Sequence, residues 1–326
     1  MAETTIDPIP ETIPESPPPK TPFLQKLRQR FFRNPVIRKE LSSRMRGLRA
    51  FIILTVYLLI VSALVSLIYF SFTSNNRSGF DPNLRQQIGK VIFGVVLALQ
   101  VALINFVSPA LTAGAIASER EHQTYDLLRT TLLTARSLVS GKLIAALLFL
   151  LLLMLAALPL QSIAFVFGGI GLSEFLISTL MLLLTTITYS TVGIFFSSIV
   201  KRTLPATVLA YLVPNLVMFG IPILLLVLVL IQESIPYDSF LYDSGIAEVV
   251  LGIILWALVS VHPIAAAILS EVMLIEEQSL FFTTTYLGNF PNFPVISPWI
   301  PFCILYTLVS LLLYLLSIVI VGRKEK

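Results

Sequence analysis

Apolar stretches recur along the chain at about 50–72, 89–112, 142–168, 174–199, 205–231, 249–270 and 299–321. A helix needs about 20 predominantly apolar residues to cross the hydrocarbon core, so most of these are long enough to span. Two other segments mix polar and apolar positions at helical spacing. Before residue 50, Phe23, Leu24, Leu27, Phe31, Leu41, Met45 and Leu48 interleave with Lys26, Arg28, Arg30, Arg33, Arg38, Arg44 and Arg46. That pattern predicts a basic amphipathic helix over 23–49 lying in the headgroup layer. Asn34-Pro35 divides it, because the residue before proline is pushed out of the α region. The second mixed segment lies between the second and third apolar stretches. There Glu119, His122, Asp126 and Arg129 recur three, four and three residues apart, which predicts one helix from Ser118 to Leu128 with a single polar stripe. Thr130, Thr131 and Thr134 loosen it before a new start at Arg136 and a junction at Gly141-Lys142.

Composition fixes the class. The chain is 56% hydrophobic and 12% charged, with a mean hydropathy of +0.90, far from the roughly one quarter charged residues of soluble proteins. The expectation is an all-α polytopic membrane protein. Residues 1–22 are set apart by seven prolines and by Glu3, Asp7, Glu11 and Glu15, and they read as a disordered cytoplasmic tail. They lack the basic start and apolar centre of a cleavable signal peptide. Residues 50–326 form the transmembrane domain. The lone Cys303 can form no internal disulfide.

Charge then orients the spans. Ten of the 22 Lys and Arg lie between Lys20 and Arg49, directly before the first apolar stretch, which points to an anionic membrane surface rather than nucleic acid. Basic residues mark cytoplasmic loops, so the N-terminus, the loop 113–141 and Lys201-Arg202 fall inside. After Arg202 no Lys or Arg occurs until Arg323. If 249–270 crossed, the acidic loop after it would be cytoplasmic and the basic C-terminus outside. If it dips in and returns, six spans remain and both termini are cytoplasmic. Pro263, after His262, interrupts the helical ladder there and favours the re-entrant reading. The outer segment that follows carries Phe281, Phe282, Tyr286, Phe290, Phe293 and Trp299, an interfacial aromatic composition. Arg77, Arg85 and Lys90 in the first outer loop run against the charge rule.

No catalytic pattern competes. The Gly-Lys pairs Gly89-Lys90 and Gly141-Lys142 lack the rest of a phosphate-binding loop. His122 and His262 are the two histidines, and no metal-ligand spacing or nucleophile constellation occurs. The polar residues inside spans are uncharged. Gln100, Asn105, Gln161, Thr186, Tyr189 and Asn215 are the candidates for lining a pathway, since a polar group in hydrocarbon is costly unless paired or facing a cavity. They are equally the residue types that join helices to one another.

The string SEREHQTYDLLRTTLLTARSLVSGK at 118–142 resembles the cytoplasmic loop of permease subunits of type-2 ATP-binding cassette (ABC) transporters. Glu119, Glu121, Thr124, Asp126, Leu128, Thr131, Leu133, Gly141 and Lys142 match in order, while Gln123 stands where that family usually has Gly and Leu132 where it often has Pro. NPVIRKELSSRMRGLRAF before the first span and GIFFSSIVKRTLPAT at the end of the fourth agree as well. The resemblance implies a six-span subunit of a bacterial inner membrane with a re-entrant outer segment, working beside a second, identical or related permease chain. It implies a coupling helix that docks on a cytoplasmic nucleotide-binding subunit through Glu119, Arg120, Glu121, Thr124, Tyr125 and Asp126. ATP and magnesium would belong to that subunit, with no cofactor and no catalysis on this chain. An uncharged pathway suits a lipid-like, amphipathic or weakly polar substrate. The alternative is a non-transporting anchor that recruits a cytoplasmic ATPase or another partner by the same loop.

Overall fold

The computed structural model describes residues 37, 39–40, 42, 48–75, 82–123, 134–234, 246–276, 280–287 and 290–323. The tail 1–22 lies outside the described residues, and so does nearly all of the helix expected over 23–49. The described chain is mostly helical, one of the two ways in which backbone can meet hydrocarbon with each N–H and C=O paired within the protein. Helix α1 is Leu48–Asn75 and α2 is Pro82–Thr112, followed by the one-turn α3, Ala117–Glu121. Helices α4, Ala135–Val166, and α5, Leu172–Ile199, form a hairpin. Thr134 caps α4 by accepting the Ser137 N–H at 3.3 Å, and the Glu174 carboxylate accepts the Gly171 N–H at 3.1 Å at the start of α5.

The fifth long stretch is helical in three parts: α6, Thr203–Asn215, a π turn over Leu216–Gly220, and α7, Ile221–Ser234. Between helices α8, Ile246–Val261, and α9, Pro263–Glu276, the chain bends by 110°. The last helix, α10, is Trp299–Arg323. Among the described residues six helical segments are long and apolar enough to cross a membrane, and the bent α8–α9 pair makes a seventh if it counts as one span.

Strands β1, Phe282–Leu287, and β2, Phe290–Ile296, pair antiparallel between α9 and α10, with Phe282 opposite Ile296 and Leu287 opposite Phe290. This hairpin is an addition to the expected all-α architecture, which the described residues otherwise follow. Three consecutive threonines and the flanking aromatics favour extended backbone, and the prolines of β2 are tolerable in a two-stranded sheet where each strand is an edge.

Helix α5 is the hub, packing on α10, α2, α4 and α6. Lipid is as apolar as leucine, so close approach and hydrogen bonds rather than water exclusion hold such a bundle. Close approach is visible at Gly193, where an added Cβ would collide with the Thr112 hydroxyl. At the other end of the bundle, a Cβ on Gly169 would lie 2.6 Å from the Lys90 amide nitrogen, and one on Gly89 2.9 Å from the Ala164 carbonyl. Lys90, whose charge the sequence leaves unexplained, lies at the same end. It is near enough to the Glu271 carboxylate of α9 to attract it, whereas Glu174 of α5 repels that carboxylate.

Candidate functional site

A knot of hydrogen bonds and ion pairs joins α3 to three long helices at one end of the bundle. Helix α3 follows a tight turn after α2, and the N–H groups that open any helix have no partner within it. Two of them, on Ile116 and Ala117, donate to the Ser197 hydroxyl of α5 at 2.8 and 3.0 Å. Both residues are fully buried. Ile116 packs with Leu138, Val139 and Leu143 of α4, Ile194 of α5 and Val321 of α10.

The charged side chains of α3 then reach outward to neighbouring helices. Glu119 accepts from the Lys142 ammonium at 2.6 Å. Lys142, about two turns into α4 and 4% exposed, also donates to the Ala115 carbonyl and lies 3.4 Å from Glu40, in the segment before α1. Arg120 donates to the Ser198 carbonyl, a position in the last turn of α5 where carbonyls are unpaired and a cation is favourable. The Glu121 carboxylate accepts from Thr203 twice, from its N–H at 2.9 Å and its hydroxyl at 2.6 Å. Thr203 opens α6, so this carboxylate caps a helix distant in sequence, and those bonds hold its pKa below the ordinary carboxylate value. Helix α3 thus brackets the turn between α5 and α6.

This arrangement corrects the expectation of one helix from Ser118 to Leu128. The helix stops at Glu121, and Gln123 follows with φ +57°, in the left-handed region that favours glycine. Thr124, Tyr125 and Asp126 lie outside the described residues. Glu119, Arg120 and Glu121 are brought together, each engaged within the chain, while His122 and Gln123 are exposed. Gly141-Lys142 is no junction either, since α4 begins at Ala135 and both residues are buried inside it. Lys142, Ser197 and Thr203 are the members of the knot that the sequence reading left out of its site. A lysine set within an apolar run was the available signal for the first. The other two are ordinary-looking hydroxyls, recognisable once their helices are placed.

The polar residues inside the bundle are mostly paired with each other. Gln161 donates to Gln100 at 2.9 Å, Asn105 to Asn215 at 3.0 Å, and the Ser108 and Ser190 hydroxyls meet at 3.0 Å. Thr186 bonds back to the Leu182 carbonyl and borders a small apolar cavity of about 220 Å³ between α4 and α5. Tyr189 is buried beside Tyr306, with ring centroids 6.5 Å apart. Asn215 borders a groove of about 650 Å³ along α6, where Thr203, Thr207, Tyr211 and Asn215 repeat every four residues. Of the pathway candidates, Asn215 and Thr186 border open space, while Gln100, Asn105, Gln161 and Tyr189 face neighbouring helices.

Among the described residues the fold is mostly helical, with six to seven spans' worth of apolar helix, compatible with a multi-pass place in a membrane. No family model matches the chain, and no curated protein matches it.

Proposed function

We propose that this chain is the membrane-spanning subunit of an ATP-driven ABC transporter, with α3 as its coupling element on the cytoplasmic side. The observation that carries the proposal is the knot. A partner that hydrolyses ATP can move the spans only through a loop bound stiffly to them, and a two-state element must be biased from both ends. Bonds from α3 to α4 through Lys142, to α5 through Ser197 and Ser198, and to α6 through Thr203 support such a linkage. The likeness of residues 118–142 to the permease loop supports it from the sequence. Because Glu119, Arg120 and Glu121 hold neighbouring helices, the docking edge is His122, Gln123 and the residues after them, including Thr124, Tyr125 and Asp126. In this reading ATP and magnesium sit on the partner, a second permease chain completes the pathway, and the substrate is lipid-like or weakly polar. The bent α8–α9 pair is a re-entrant outer segment, which keeps Arg323 inside.

The test is purification of the full chain from its native membranes, followed by reconstitution of whatever ATPase accompanies it. A nucleotide-binding subunit should co-purify and be lost on Tyr125→Ala with Asp126→Ala. Substrate-dependent movement in vesicles should then be lost with it. Absence of any ATPase from the wild-type preparation overturns the proposal. A second reading, an anchor that recruits a partner without transport, is favoured by the pairing of Gln100 with Gln161 and Asn105 with Asn215. A co-purifying ATPase without vesicle transport of any lipid-like substrate would select it.

A further inference from the structure

Buried polar groups gather at a second place, the elbow between α8 and α9. Ending one helix and starting another after a bend of 110° strands carbonyls in the last turn of α8 and N–H groups in the first turn of α9. Side chains answer from two directions. Tyr306 of α10 donates its hydroxyl to the Val261 carbonyl at 3.0 Å. His262, 5% exposed, sits at the break itself and accepts the Ala265 N–H on Nδ1 at 3.0 Å. It is the N-cap of α9, and Pro263 takes the first helical position, where a missing N–H is harmless.

The other ring nitrogen reaches a different helix. His262 Nε2 lies 3.2 Å from the carbonyl oxygen of Met218, in the π turn of the fifth span. A carbonyl can only accept and a backbone N–H can only donate, so the two contacts together fix the neutral ring with its proton on Nε2. Met218 is a particular choice of acceptor. In an α-helix its carbonyl would be bonded by the N–H of the residue four ahead, which is Pro222 and has none. One imidazole therefore supplies the donor that Pro222 withholds from the fifth span and the acceptor that α9 lacks.

We propose that His262 is a latch that joins the two places where this bundle departs from regular α-helix, the elbow and the π turn, so that they move as one unit. Turning α7 about the π turn either carries the elbow along or strands the Nε2–H at membrane depth, which is strongly disfavoured. The proposal stands on this geometry and holds whether the chain transports or anchors.

The experiment uses full-length protein with Cys303→Ser in lipid nanodiscs, spin-labelled at Phe219→Cys and Ile268→Cys, both exposed positions. Electron paramagnetic resonance reads the distance distribution between π turn and α9. His262→Asn places an amide oxygen where Nδ1 stands, so it keeps the cap but falls short of Met218; a broadened distribution is expected. His262→Gln retains a donor at the Nε2 position and should stay as narrow as the parent. An Asn variant indistinguishable from the parent, or a Gln variant as broad as Asn, overturns the latch. Should His262→Asn fail to fold, Pro222→Ala returns a backbone donor to Met218 and should shift or broaden the distribution. An unchanged distribution there overturns the proposal as well.

Discussion

Removing the carboxylate of Glu119 should destabilise the protein more than removing the ammonium of Lys142, and the two losses should not add. Lys142 is 4% exposed, whereas Glu119 and Glu40 are 21% and 26% exposed. Stranding one partner of a fully buried pair costs about 3–5 kcal/mol. Both acidic side chains are partly exposed, so about half of that, roughly 2 kcal/mol, is expected for Glu119→Ala, in which Lys142 keeps the Ala115 carbonyl and the longer contact to Glu40. Lys142→Met replaces a buried ammonium by an apolar chain of similar length and leaves two acidic side chains that are each partly exposed. Its cost should be about 1 kcal/mol. In the Lys142→Met background, Glu119→Ala should then cost almost nothing. The assay is equilibrium unfolding in mixed micelles of rising dodecyl sulfate fraction, followed by the fluorescence of Trp256 and Trp299. A loss of about 2 kcal/mol changes the unfolding constant by roughly thirtyfold. Equal losses for the two single variants, with an additive double variant, would refute the reasoning, because the pair would then carry no coupling.

Three further outcomes are expected. Gly193→Ala drives a methyl into the Thr112 hydroxyl, which is held by its bond to the Ser108 carbonyl at 2.7 Å, and should cost about 1–3 kcal/mol in the same assay, the range for overpacking. Gln123→Gly should raise stability by about 1 kcal/mol and Gln123→Val lower it, since the position is left-handed; melting of the purified variants checks the order. Glu121 has its pKa lowered by Thr203, so its cap on α6 is fully present above the ordinary carboxylate pKa and lost as pH falls through the lowered value. The Thr203 amide resonance should titrate over that acidic window in nanodiscs and stay flat in Glu121→Gln.

The long helices were legible because a run of leucine, valine and isoleucine has one solution in lipid, and the structure starts and stops them within several residues of the apolar boundaries. Pro263 likewise announced the break after His262, although not its angle. The strands over 282–296 were missed because their aromatics and prolines were read as an interfacial belt, a composition that says nothing about backbone. The loop was misread for a different reason. The stripe through Glu119, His122 and Asp126 satisfied a helical period, but periodicity cannot report a left-handed residue such as Gln123. Nor could it show that Glu119 and Glu121 answer Lys142 and Thr203, because those partners are distant in sequence and meet only when α4, α5 and α6 are assembled. The amide pairs inside the bundle were ambiguous for the same reason. Gln100 facing a cavity and Gln100 facing Gln161 are identical in one dimension.

Synthesis runs from α1 toward α10, and the contacts of Gly89 and Lys90 give that order a consequence. When α1 and α2 have left the ribosome, Gly89 has no Gly169 to seat against, and Lys90 has no Glu271 to attract. On the topology proposed above, the first helical hairpin is therefore made with a cation at the end where the inside-positive rule disfavours one. On that topology the carboxylate that attracts Lys90, Glu271, is made only with α9, the last helix but one.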